Sequence, residues 1–258
     1  GLVSERSGII NIGLEGKMLI SAVVVWLIGV NTGSPVFGLL AGIGAASLLS
    51  LLHWLLTQKF ALDHIVSGMA VNALAFGGSN FLDKRFSNPN QVNFAKFDSW
   101  LYWLVAIGLP IGMWLYLNRT RGGLRLMAVG NDPEKARQMG IFPLRIRLVS
   151  LIGTGVFCGI AGSIIVSNAG SFNDSMTAGN GFIALAALIV GGWRPIPALI
   201  ACLLFGMLKQ LQIQMQGEAI AGIMVPNWVW LSLPYFATVV ALAGFLGRDR
   251  TPKGLGKP

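Results

Sequence analysis

Few residues in this 258-residue chain are of a type and spacing that could do chemistry, and most familiar reaction centres fail on spacing. Gly13-Leu14-Glu15-Gly16-Lys17 runs into Met18 without the spacing of a phosphate-binding loop, and Gly256-Lys257 is followed by Pro258, so no nucleotide site is visible. His53 and His64 flank one short loop with no HExxH or Cys/His cluster, which argues against a metal site. Cys158 and Cys202 both sit in apolar runs and read as buried thiols. No nucleophile with a general base stands out, so an intramembrane enzyme has little support and no cofactor is implied. Two kinds of chemistry remain: recognition by a short capped helix, and hydrogen bonding by amides and hydroxyls set inside apolar segments.

The capped helix lies in Arg119 to Arg147, RTRGGLRLMAVGNDPEKARQMGIFPLRIR, the one long basic interval in an apolar chain. After Asn131, Asp132 supplies an N-cap, Pro133 a first position that needs no N–H, and Glu134 a carboxylate in the first turn; Gly140 reads as the stop. About two turns, near 10 Å, are not stable alone in water, so the helix must dock on something. Ala136 and Met139 form a small apolar stripe beside polar Glu134, Lys135, Arg137 and Gln138. That pattern fits a shallow groove on a partner protein, and equally a loop helix packed on its own membrane domain.

Asn72 lies in the middle of the third apolar segment, with Ser79 and Asn80 near its outer end. Asn72 and Asn80, eight apart, can share one helix face, where their amides would either bind a polar solute in a central passage or stitch helices together. Asn11 and Glu15 lie in a glycine-rich lead-in, where a structural role is expected. The loop Ser167 to Asn180 is polar with one charge, Asp174, and suits a mouth that meets an external partner or a plain connector.

The elements that position these residues are membrane helices. Hydrophobic residues make up 54% of the chain, charged residues 11%, and mean hydropathy is +0.67, against roughly 25% charged in a soluble domain. The fold class expected is all-α: one polytopic membrane bundle over residues 1–258. Eight segments emerge: Gly16 to Val30, Val36 to Leu56, Ile65 to Leu82, Trp100 to Leu117, Leu148 to Val166, Phe182 to Gly191, Pro195 to Leu211 and Trp228 to Leu246. The first is short, and Phe182 to Gly191 is too short to span against the roughly 20 residues a crossing needs. Gly191 and Gly192 break it with a turn at membrane depth, tolerated where the backbone is buried in protein or lines a cavity. The other dense glycines read as close helix packing.

Net charge is +9, which the positive-inside rule explains better than nucleic acid does. On alternating sides, Arg6, Lys17, Lys59, Arg119, Arg121, Arg125, Lys135, Arg137, Arg145, Arg147, Arg194, Arg248, Arg250, Lys253 and Lys257 oppose Lys84, Arg85, Lys96 and Lys209, fifteen against four. The basic interval and both termini are therefore expected in the cytoplasm, and the loops Asp83 to Ser99 and Ser167 to Asn180 outside. Trp26, Trp100, Trp103, Trp228 and Trp230 lie near segment ends, as an interfacial belt would place them. No secretory signal is visible in Leu2 to Lys17.

Two stretches resemble a known family. LVSERSGIINIGLEGKMLI, Leu2 to Ile20, resembles the opening motif of the permease subunits of bacterial ABC importers for nucleosides, within the group that includes ribose and branched-chain amino acid permeases. GNDPEKARQMGI, Gly130 to Ile141, resembles that group's cytoplasmic loop, whose coupling helix docks into a groove on the ATPase subunit. The resemblance implies a half-transporter in the bacterial cytoplasmic membrane, C-terminus inside. Its partners would be a separate ABC ATPase, a second related permease and an external substrate-binding lipoprotein. The coupling role falls on Asn131, Asp132, Pro133, Glu134, Lys135, Ala136, Arg137 and Met139; Asn72, Ser79 and Asn80 are candidates for the solute path. Family members carry a further helix ahead of the SERSG motif, so the resemblance implies one upstream of residue 1 or a shortened protein. A stand-alone secondary transporter would need ionisable groups buried at mid-membrane, and Ile65 to Leu82 and Leu148 to Val166 contain none.

Overall fold

Apolar runs punctuated by Gly, Pro, Ser and Asp become helices in a computed structural model, which describes residues 1–87, 97–216, 219–220, 223–224, 226–245 and 251–257. In chain order these are α1 (Leu2–Arg6), α2 (Leu14–Thr32), α3 (Pro35–Trp54) extended by a π-helical turn (Leu55–Lys59), α4 (His64–Phe86), α5 (Ser99–Arg119) and α6 (Arg121–Asn131). They continue as α7 (Pro133–Gln138), α8 (Pro143–Ala169), α9 (Asn180–Val190), α10 (Pro195–Met215) and α11 (Asn227–Phe245). The strand pairing among the described residues is a two-residue antiparallel one, Ala219–Ile220 with Ile223–Met224. Among the described residues, six helices are long and apolar enough to cross a membrane: Leu14–Thr32, Pro35–Lys59, His64–Phe86, Trp100–Arg119, Pro143–Ala169 and Pro195–Met215. The short segment expected at Phe182 is the 11-residue α9, about 16 Å long and well under the 30 Å hydrocarbon core. Lys96, Arg248, Arg250, Leu246 and most of the loop after Asp83 lie outside the described residues.

The chain divides into two compact units, residues 1–182 with 252–258, and residues 183–251. In the first, α2 runs at the centre against α3, α4 and α8. Ala22, Val23, Val25, Trp26 and Leu27 of α2 meet Val166 of α8, while Leu14 and Met18 meet Ala46 and Cys158. Backbones approach closely enough that a Cβ on Gly159 would lie 2.6 Å from Ile43 Cα, the contact small residues permit in membrane bundles. The outward faces stay apolar, with Leu48, Phe81 and Val149 exposed, as a surface solvated by lipid requires. In the second unit, Ala187, Ala201 and Phe205 pack with Ile183, Leu208 and Ala241. Its α9 ends in the expected tight turn, where Gly192 has φ +58° and Trp193 φ +53°.

Several expectations are corrected. Lys17 and Arg147, counted among the flanking cations, are buried at 0% and 1% exposure; the count could not tell an inward-facing cation from one in water. Trp26 is packed in the core instead of an interfacial belt. Cys158 is buried but Cys202 is exposed, because an apolar run does not reveal which face turns to the bundle. The basic interval holds a second helix, α6, whose Thr120 cap accepts from the Gly123 N–H at 3.1 Å. Its Gly123, Leu126, Val129 and Gly130 turn inward while Arg121, Leu124 and Arg125 face out, the stripe of a surface helix. Leu126 there packs on Val3 and Leu117.

Candidate coupling surface and solute path

The capped helix forms where its residues direct. Asp132 Oδ1 accepts from the Lys135 N–H at 3.0 Å and Oδ2 lies 3.2 Å from Lys135 Nζ. The Lys135 N–H bond first, then its ammonium, holds the Asp132 carboxyl below the usual carboxylate range. Because the folded state depresses this pKa, the cap is intact above the ordinary carboxylate range and weakens as pH falls through the depressed value. At the other end Gly140 takes φ +77°, and the Ile141 N–H reaches the Ala136 carbonyl at 3.0 Å, closing the helix as a left-handed glycine cap does.

The expected apolar stripe splits. Ala136 is fully buried in its own chain, whereas Met139 is 68% exposed. Asn131, Glu134, Lys135, Arg137 and Gln138 are exposed, and Asp132 and Pro133 half-buried. Ala136 therefore seats α7 on the subunit, and the face left for a partner is Met139 with the charged residues around it. Phe142, exposed nearby, stacks under the Arg145 guanidinium at 5.0 Å. Beside α7 lies a cleft of about 620 Å³ lined by Pro133, Glu134, Arg137, Phe142, Leu144 and Arg147 among others.

The candidate path residues are all hydrogen-bonded to backbone groups. Asn72 is buried, its Oδ1 accepting from the Gly16 N–H at 2.9 Å and its Nδ2 donating to the Ile12 carbonyl at 3.1 Å. Ser79 is buried and donates to the Phe76 carbonyl, as does the half-buried Asn80. The amide oxygen and nitrogen of Asn72 thus tie α4 to the start of α2 and the residues just before it. Asn72→Leu is expected to leave Gly16 N–H and Ile12 C=O buried and unpaired, at about 1–3 kcal/mol each. A lower melting midpoint of the purified subunit, with uptake per assembled complex unchanged, is the result that checks it.

Sequence reasoning expected a structural role for Glu15 but left its partners unread. Glu15, 2% exposed, accepts from the Gly179 N–H at 2.8 Å and the Gly181 N–H at 2.6 Å. Gly181 is tight against it, a Cβ there falling 2.5 Å from Glu15 N. Leu14 packs beside Cys158, fifteen residues into α8 and so about 20 Å from that helix's start. The loop before α9 therefore dips to membrane depth, and the carboxylate satisfies donors that lipid could not. Nearby, Lys17 Nζ donates to Asn11 Oδ1 at 2.9 Å and lies 3.2 Å from His53 Nδ1, and Asn11 donates to Ser4. The acidic residue in a glycine-rich lead-in was the signal available; its partners lie 164 and 166 positions away.

Among the described residues no cluster of His, Cys, Asp or Glu is placed to hold a metal ion. The sequence profile described as "Branched-chain amino acid transport system / permease component" matches residues 1–246. The guanosine ABC transporter permease protein NupQ of Bacillus subtilis is 37% identical over 292 residues, covering 100% of this chain and 90% of that protein. The nucleoside ABC transporter permease protein NupC of Lactococcus lactis is 35% identical, covering 99% and 89%. A second Bacillus subtilis protein, the guanosine ABC transporter permease protein NupP, is 22% identical over 79% of the chain and 66% of its own length. No solved structure gives a significant match. A polytopic apolar bundle, and similarity running the length of the chain, make this protein a member of the branched-chain amino acid transport system permease component family, a membrane transport subunit and not an enzyme.

Proposed function

We propose that the chain is the permease subunit of an ABC importer that carries nucleosides, forming half of the passage while a separate ATPase supplies the energy. The observation that carries this reading is full-length similarity, above one-third identity, to permeases named for guanosine and for nucleosides. Residues 1–258 act as one transport domain in the bacterial cytoplasmic membrane, fed by an external binding lipoprotein. The end that bears α6 and α7 lies in the cytoplasm, in keeping with its cations, and the segment 252–257 packs beside it.

The partner permease is a relative and not a second copy: the chain resembles both guanosine permeases of one organism, NupQ at 37% and NupP at 22%. ATP closes the ATPase pair, the exposed face of α7 follows, and the bundle exchanges access between the two sides. This requires the ATPase to bind the two permease states with different affinity.

The solute class is tested by uptake of labelled guanosine into vesicles holding this chain, its partner permease, the ATPase and the binding protein. Excess adenosine is expected to abolish the signal, and ribose or leucine to leave it within twofold. Competition by leucine alone would transfer the assignment to the amino acids named in the family description.

A further inference from the structure

Arg147, at the start of α8, is the largest fully buried side chain among the described residues. Its guanidinium donates in three directions: Nε to the Ser7 carbonyl (3.3 Å), Nη1 to Gln58 Oε1 (2.7 Å) and Nη2 to the Lys257 carbonyl (2.9 Å). Ser7 belongs to the lead-in of α2, Gln58 to the π-helical turn after α3, and Lys257 to a segment more than a hundred residues away in sequence. That segment is pinned twice more. The Gly254 N–H donates to the Gly130 carbonyl, in the last turn of α6, and the Gly256 N–H to the Gly8 carbonyl, each at 2.9 Å. A Cβ on Gly254 would come within 3.1 Å of Pro133, the first residue of α7. Residues 252–257 are thus wedged between the base of α7 and the lead-in of α2.

We infer that this segment, held by Arg147, is a strap that carries displacement of α7 to the lead-in of α2, which makes Arg147 a positioning residue of the coupling step. The inference rests on the reading of α7 as the ATPase contact. Fold stability alone accounts poorly for the arrangement, because a buried cation held by neutral oxygens is costly and an apolar side chain would pack as well. A planar fork that addresses three separated acceptors at once is what arginine offers and lysine does not. With these bonds in place, moving the end of α6 that leads into α7 either carries Gly8 with it or breaks a bond at Gly254 or Gly256.

The test uses the four-component importer in vesicles and reads guanosine taken up per ATP hydrolysed. Arg147→Met, Arg147→Lys and a chain lacking residues 252–258 are compared with the parent and with a Glu134→Lys, Met139→Asp chain. The strap predicts at least a fivefold fall in the ratio for Arg147→Met and for the shortened chain, a smaller fall for Arg147→Lys, and hydrolysis within twofold of the parent. An unchanged ratio, uptake and hydrolysis falling in step, or failure of all three chains to assemble would overturn it. If the Glu134, Met139 chain loses coupling while the Arg147 variants keep it, the strap alone fails. If that chain keeps coupling, the reading of α7 fails first.

Discussion

Glu134→Lys combined with Met139→Asp is expected to leave the subunit folded and assembled while ATP-driven uptake falls tenfold or more. Both side chains are exposed, Glu134 in the first turn of α7 and Met139 at its C-cap, so the substitutions open no cavity, and reversing the first-turn charge should cost no more than about 1 kcal/mol. Met139 is the large apolar group of a helix whose other outward residues are charged or polar, and an exposed apolar knob ringed by charge is the usual anchor of a docking contact. A tenfold loss corresponds to about 1.4 kcal/mol of binding to the ATPase, modest for an anchor that also changes charge. The measurement is uptake and hydrolysis on the same vesicles; normal uptake would remove α7 from the coupling role. Ala136→Trp does not serve this purpose, because Ala136 is buried against its own subunit and a tryptophan there would unseat the helix before any partner was consulted.

Glu15→Leu should produce the largest loss of stability in the chain. The substitution strips partners from the N–H groups of Gly179 and Gly181, at about 1–3 kcal/mol each for buried unpaired donors. It also inserts a branched side chain where Gly181 already lies in contact with Glu15. Glu15→Gln should fall between: its carbonyl accepts one of the two bonds, and its amide nitrogen faces the other donor. The check is the melting midpoint and yield of purified subunit in detergent, ranked parent, Gln, Leu. A Leu variant as stable as the parent would mean that the loop before α9 is held by something other than this carboxylate.

Local signals were legible and distant ones were not. Asp132, Pro133 and Glu134, with Gly140, set the bounds of α7 from neighbours within a few positions, and the structure runs that helix over Pro133–Gln138. Apolar length likewise located the helices, including the short α9 and the turn at Gly191 to Trp193. The inward stripe of α6 was present in Leu126, Val129 and Gly130, but basic residues at Arg121 and Arg125 concealed it. What failed was direction. Ala136 and Met139 share a stripe by spacing yet face opposite environments, and Lys17 and Arg147 are cations that point into the bundle. Helix periodicity ranks faces and does not say which partner covers them. Asn72, read as a solute contact or a helix stitch, has both amide atoms taken by backbone groups 56 and 60 positions away, which no local pattern could reveal.

The central claim is that this chain is an obligatory passage powered through a separate ATPase, and one omission experiment tests it most directly. Labelled guanosine uptake is measured in vesicles containing the partner permease, the ATPase and the binding protein, with and without this chain and with and without ATP. Uptake only where both chain and ATP are present is the predicted result. Uptake by the chain alone without ATP, or undiminished uptake when it is left out, would contradict the account.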